Sequence, residues 1–200
     1  MKTILQINSS LFGEQGQSSK MANEFVTRLQ ASSDASQLLR HDLHAAPLPH
    51  LDGQRFAAFT TPAAERSATQ QVVVAESDAL IKELREADII VLGMPLYNLG
   101  VPSTFKAYID HVARAGETFR YTANGPQGLL EDKKVYVFAA RGGIYEGTAM
   151  DTQSAYIRHI FGLMGIQDIE FIYAEGLSKG GDVAEKSLAA AQTLIRQKAA

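Results

Sequence analysis

The chain of 200 residues contains no cysteine, which excludes disulfides, thiolate metal sites and a cysteine nucleophile together. It also has no apolar run of membrane-spanning length. Met1-Lys2-Thr3-Ile4 leads straight into a short apolar segment with no cleavage-site pattern behind it, so neither a membrane span nor a signal peptide is expected. A cytoplasmic protein is the simplest expectation. Charge of one sign is scarce as well. The formal net charge is -3 and no long basic run occurs, which leaves nucleic-acid binding little electrostatic footing. Two familiar motifs are missing too. Lys20 follows Ser19 and not a glycine, so no P-loop ends there, and Gly-x-Gly-x-x-Gly does not occur.

What is present reads as one ordinary globular domain over residues 1–200, 46% hydrophobic and 20% charged. Short apolar runs alternate with amphipathic stretches. Ile4–Ile7, Asp88–Gly93, Val135–Ala140 and Asp168–Ala174 read as strands, with Gln37–Leu43 as a weaker fifth. Phe105, Tyr108, Ile109 and Val112 keep helical spacing, as do Ile157, Ile160, Phe161 and Met164. Ala184, Leu188, Ala191 and Ile195 form a further stripe, and another helix is expected from about Pro62 to Ala87. Strands alternating with helices predict an α/β fold, with a five-stranded parallel sheet covered on both faces. His44–Gln54 and Phe119–Leu130 are expected to be irregular excursions.

In such a sheet, ligands bind past the carboxyl ends of the strands, where the strand order reverses. Three loops fall there. The first, "SSLFGEQGQSS" at 9–19, leads into a helix expected to begin near Gln17-Ser18-Ser19. Glycines, serines and an exposed helix start make an anion cradle without a fixed cation, suited to a phosphate monoester that is held and never transferred. Ser18 or Ser19 as a plain helix cap is the competing explanation, and the loop alone leaves both open. The second loop, around Leu96-Tyr97-Asn98-Leu99, places an aromatic ring and a carboxamide at the edge, apt for a flat heteroaromatic ring. The third, Ala140-Arg141-Gly142-Gly143, offers backbone N–H groups that can approach a ligand closely. Together they describe a site for flavin mononucleotide (FMN).

These residues, with "PLYNLGVPSTFKAYIDHVARAGETFRYTANGPQGLL" and "ARGGIY", resemble the FMN-dependent NADH:quinone oxidoreductases, also called FMN-dependent NADH azoreductases. The similarity runs over nearly the whole chain. It implies a flavodoxin-like three-layer sandwich, one non-covalent FMN per subunit, and a homodimer with active sites at the interface. It further implies two-electron transfer from NADH or NADPH to quinones and aromatic azo compounds, by a ping-pong route that needs no catalytic side chain of its own. By position, the phosphate contacts fall on Ser10, Gly16, Gln17 and Ser18. The ring contacts fall on Leu96, Tyr97, Asn98 and Leu99, and on Ala140, Arg141, Gly142 and Gly143. Phe119, Tyr121 and Leu163 correspond to substrate-pocket wall, and Tyr97, Tyr121 and Tyr145 are the candidate proton donors. Leu96, Leu99 and Ala140 stand where the family often has Met, Phe and Ser.

Three alternatives frame this reading. A flavodoxin-like electron carrier would use the same loops but is usually far more acidic. The loop serines lack an evident histidine partner for hydrolase chemistry. His41, Asp42, His44, His50 and Asp52 are metal-ligand types, but their spacing matches no zinc signature and no metal is expected.

Overall fold

The computed structural model describes residues 2–32 and 36–199. Its order is β1 (Lys2–Asn8), α1 (Gln17–Ser32), β2 (Ser36–Asp42), α2 (Gly53–Thr60), α3 (Ala68–Glu86), β3 (Ile89–Pro95) and α4 (Ser103–Val112). Then come β4 (Phe119–Thr122), β5 (Gly125–Gly128), β6 (Lys134–Ala140), α5 (Thr152–Leu163), β7 (Asp168–Ala174) and α6 (Gly181–Lys198). Five strands pair in parallel in the order β2-β1-β3-β6-β7, so the order reverses at β1 and β3. This is the doubly wound arrangement expected from the alternating runs.

Side-chain alternation along each strand divides the core in two. Leu5, Ile7, Ile90, Leu92, Val135 and Val137 face α3, α4 and α5, meeting Leu84, Phe105, Tyr108 and Phe161. Ile4, Val91, Phe138 and Ile172 face α1 and α6, meeting Phe25, Val26 and Ile195. Phe161 is thus a core residue, as its place on the apolar stripe implies. Each such fully buried side chain contributes about 1.5–3 kcal/mol. Under α1 the polar Gln6 and Asn8 are reconciled with burial by hydrogen bonds to Asn23 Oδ1, at 2.6 and 3.2 Å. A Cβ on Gly93 would come within 2.5 Å of Asn8 Oδ1. That close approach seats the start of α1 over the switch point.

Three expectations need correction. The helix expected from about Pro62 is divided: a 3-10 turn spans Ala63–Glu65, and α3 begins afresh after Ser67. Ser67 accepts from Gln70 N–H while the Gln70 side chain accepts from Ser67 N–H, a reciprocal cap that outweighs continuation. Second, the His44–Gln54 excursion ends in an unforeseen helix, α2, because Asp52 accepts from Arg55 N–H and caps it. Third, the Phe119–Leu130 excursion is an ordered hairpin, β4 against β5. Its base is docked on the end of α5, where the Leu129 and Leu130 N–H groups both donate to Met164 C=O.

Candidate functional site

The strand ends are level: Asn8 pairs with Gly93, Pro95 with Ala140, and Ala140 with Ala174. The three predicted loops therefore leave one edge of the sheet side by side. In the first, Gly13 adopts a left-handed φ of 52° and its N–H donates to Ser10 C=O at 3.0 Å, folding the loop back. Gly16 has no room for a side chain, since a Cβ there would lie 2.1 Å from Ser10 Oγ. The first intrahelical bond of α1 runs from Lys20 N–H to Gly16 C=O, so Gly16 is the cap residue. Ser18 and Ser19 lie inside the first turn, and neither caps the helix by its side chain. Both hydroxyls are buried without a hydrogen-bond partner. Leaving a buried hydroxyl unsatisfied costs about 1–3 kcal/mol, which a ligand acceptor would recover. Ser10, Gly16, Gln17 and Ser18 line one cleft of about 360 Å³, which continues past Leu96, Tyr97, Ala140 and Gly142. The residues present fit FMN: a cation-free phosphate cradle at one end opens onto the two ring loops.

The second loop is a tight reversal. Tyr97 and Gly100 exchange backbone hydrogen bonds of 3.3 and 2.9 Å, with Asn98 and Leu99 between them at φ 50° and 61°. Asparagine tolerates this left-handed region; leucine pays about 1–2 kcal/mol to adopt it. The start of α5 holds the turn in place. Thr152 Oγ1 donates to Leu99 C=O, and Gln153 Nε2 donates to Pro95 C=O at 2.8 Å. Tyr97 also ties two loops together, its hydroxyl accepting from Leu11 N–H at 3.2 Å.

The third loop differs from the expectation in one respect. Arg141 contributes backbone to the cleft, but its side chain is turned inward and fully buried. It donates to Glu175 and Asp151 at 2.9 Å each and to Ser154 Oγ at 2.8 Å, and lies 4.8 Å from the Tyr173 ring centroid. Burial pushes the Asp151 carboxyl up, but hydrogen bonds from Arg141 and Ser154 and the guanidinium charge prevail and hold it below 3.8. Burial raises the Tyr173 phenol above 10.0 and keeps it neutral. Glu175 in turn accepts from the Tyr145 and Glu146 N–H groups at 3.1 Å. The Arg141 cation is consequently a bolt for the strand ends, neutralised by two carboxylates through its terminal nitrogens, while its Nε–H is buried without a partner.

Sequence reading missed a fourth loop, the one after β7. Its Leu177 and Ser178 line the cleft of about 360 Å³, and Ser178 Oγ would lie 2.4 Å from a Cβ on Gly142. The glycines in Gly176-Leu177-Ser178-Lys179-Gly180-Gly181 were the available signal, since this run also follows a strand's carboxyl end. A second cleft of about 500 Å³ is lined by Leu96, Asn98, Leu99, Gly142, Gly143 and Tyr145, with Ser178 and Lys179. A third, of about 720 Å³, lies where Tyr97 and Asn98 meet Thr104 and Tyr156, and burial pushes the Tyr156 phenol up to about 12.

Phe119, Tyr121 and Leu163 line none of these three clefts. Phe119 is buried at the base of the hairpin, Tyr121 is 76% exposed near its tip, and Leu163 ends α5 half-buried. The histidine-rich segment has local uses. Asp42 accepts from His44 and Ala45 N–H groups, Asp52 caps α2, and His41 pairs with Glu83. No three His, Asp or Glu side chains converge as a metal set among the described residues. Nor is any helix among them long and apolar enough to cross a membrane.

Comparison with known proteins gives this geometry its context. A family model described as flavodoxin-like fold matches residues 2–199. An FMN-dependent NADH:quinone oxidoreductase of Cellvibrio japonicus is 52% identical over 200 residues, covering 100% of both chains. One from Alcanivorax borkumensis is 55% identical over 190 residues, covering 95% of this chain and 96% of its own. Among solved structures, an azoreductase from Bacillus anthracis superposes with a TM-score of 0.91 at 28% identity, covering 100% of this chain and 99% of the other. Matched from end to end in both sequence and fold, the chain belongs to the flavodoxin-like family of the FMN-dependent NADH:quinone oxidoreductases.

Proposed function

We propose that the protein is an FMN-dependent oxidoreductase that takes two electrons from NADH, or from NADPH, and passes them to quinones and aromatic azo compounds. The carrying observation is the buried Ser18 hydroxyl, unpartnered in a cation-free cradle that opens onto a cleft for a flat ring. Bound there, FMN would supply the redox chemistry between dinucleotide and acceptor, in ping-pong order. The chain supplies position and electrostatics. Ser10, Gly16, Gln17 and Ser18 would hold the phosphate through N–H and hydroxyl donors. Leu96, Tyr97, Asn98 and Leu99 would flank the ring and Ala140, Arg141, Gly142 and Gly143 would line its edge, where Gly142 and Gly143 N–H groups could donate as negative charge gathers on reduction, the Arg141 N–H being taken by Ala174 C=O.

Of the three candidate proton donors, Tyr97 is the best supported. Its oxygen already accepts from Leu11 N–H, leaving its own proton free to donate. A single domain over residues 1–200 and a homodimer closing the site belong to the same reading. Phe12, Ile144 and Met150 support the dimer, being 72%, 54% and 51% exposed in loops at this edge. In it, Phe119, Tyr121 and Leu163 wall the substrate pocket, the exposed Tyr121 offering a face to a second copy. A cytoplasmic location, beside the supply of reduced dinucleotide, completes the reading.

The test is a visible spectrum after adding FMN and removing the excess, then anaerobic NADH, then a quinone. Retained yellow colour that bleaches and returns is expected. Retained flavin that NADH leaves coloured points to an electron carrier, and no retained flavin overturns the cradle.

A further inference from the structure

A phosphate held without a cation leaves its charge unneutralised. The cradle residues include no Lys or Arg, and the Arg141 guanidinium is committed to Asp151 and Glu175. A bound phosphate monoester adds a charge of about -1.5 to -2 to a chain whose formal net charge is -3. A nicotinamide dinucleotide, carrying its own pyrophosphate, then approaches through a repulsive field.

One cation counters it in the cleft of about 500 Å³ that both ring loops line, the ring cleft. Lys179 is exposed, lines the cleft with Asn98, Leu99, Gly143 and Tyr145, and makes no ion pair among the described residues. None of the phosphate-loop residues lines that cleft. Lys106, beside the neighbouring cleft, is already paired with Asp110. Lys179 is also firmly placed. The Gly176, Leu177 and Ser178 N–H groups donate to Gly143, Arg141 and Gly142 C=O at 2.8, 3.1 and 3.0 Å. This stitches the short turn Leu177–Lys179 to the third loop, between two left-handed glycines, Gly176 and Gly180.

We propose that Lys179 is the docking cation for the electron donor, its ammonium pairing with the pyrophosphate of the dinucleotide in the ring cleft. It is a specificity-determining residue that acts on donor affinity and leaves the transfer itself alone. The inference rests on the reading of the site as one that binds FMN and NADH.

The experiment compares wild type with K179Q, K179R and K179E. In K179Q, KM for NADH is expected to rise about two- to fivefold at low ionic strength, with kcat and KM for a neutral quinone unchanged. K179E should exceed that rise and K179R should approach wild type. The differences should fade toward 1 M salt, where the screening length is about 3 Å. FMN affinity and the midpoint potential of the bound flavin should match wild type in all three. An unchanged KM for NADH in K179Q overturns the proposal, as does a shifted potential or FMN affinity, which would put the ammonium on the flavin instead. A wild type that NADH does not reduce overturns the underlying reading, and is recognised before any variant is compared.

Discussion

The loop after β1 and the loop after β6 stand at the same sheet edge yet handle polarity in opposite ways. The first carries no Lys or Arg and keeps two buried hydroxyls and a helix start free. The second brings a fully buried arginine and neutralises it internally with two carboxylates, a serine accepting as well, although its Nε–H stays without a partner. One surface is left unsatisfied so that a ligand can complete it. The other has its charge neutralised in advance, so that β6, β7 and the start of α5 hold their relative positions. Binding and rigidity are thereby divided between neighbouring loops.

Arg141→Met should break this contrast most severely. It strands Asp151 and Glu175 as buried, unpaired carboxylates, and a loss of about 3–5 kcal/mol is expected in denaturant unfolding of the apoprotein. Ser18→Ala should behave oppositely: apoprotein stability holds or rises slightly, while FMN affinity falls about tenfold to a hundredfold in a fluorescence titration. An equal loss of stability in Ser18→Ala would remove the distinction between the loops. Gly16→Ala should cost about 1–3 kcal/mol through the clash with Ser10 and weaken FMN binding with it. Ser10→Gly in the same chain should relieve the clash, so the double variant is more stable than the two single losses added together.

The smallest effect concerns acid. The folded Asp151 carboxyl titrates below 3.8, so its contribution is fully present above that value. It is lost as pH falls through the depressed folded value. Asp151→Asn should flatten the acid limb of the stability curve below about pH 4, and leave its slope above pH 5 unaltered.

Much of this was legible in the chain. Continuous apolar runs such as Ile90-Val91-Leu92 and Val135–Phe138 read as strands with both faces covered, and helical stripes between them point to a parallel sheet. α2 was hidden because its eight residues start from a cap, Asp52, in a segment whose prolines and histidines read as loop. The hairpin was hidden because β4 and β5 span four residues each and contain Gly125, Pro126 and Gly128, which carry no alternating pattern. The loop after β7 was overlooked because a glycine-rich run near the end of a chain reads as a simple connection.

Local sequence determined the strand and helix order, and with it the edge where a ligand must bind, because period and burial are properties of neighbouring residues. It also determined the cation-free composition of the loop after β1. Only tertiary structure decided that Arg141 points inward, since its acceptors lie 10 and 34 residues away. The same holds for the Ser18 hydroxyl, which loses every protein partner when α1 closes on the sheet at Gly93, and for Lys179, which reaches the ring cleft through backbone bonds to residues 141–143. Composition sets which groups are available; packing sets which of them remain unsatisfied, and those are the groups a ligand can use.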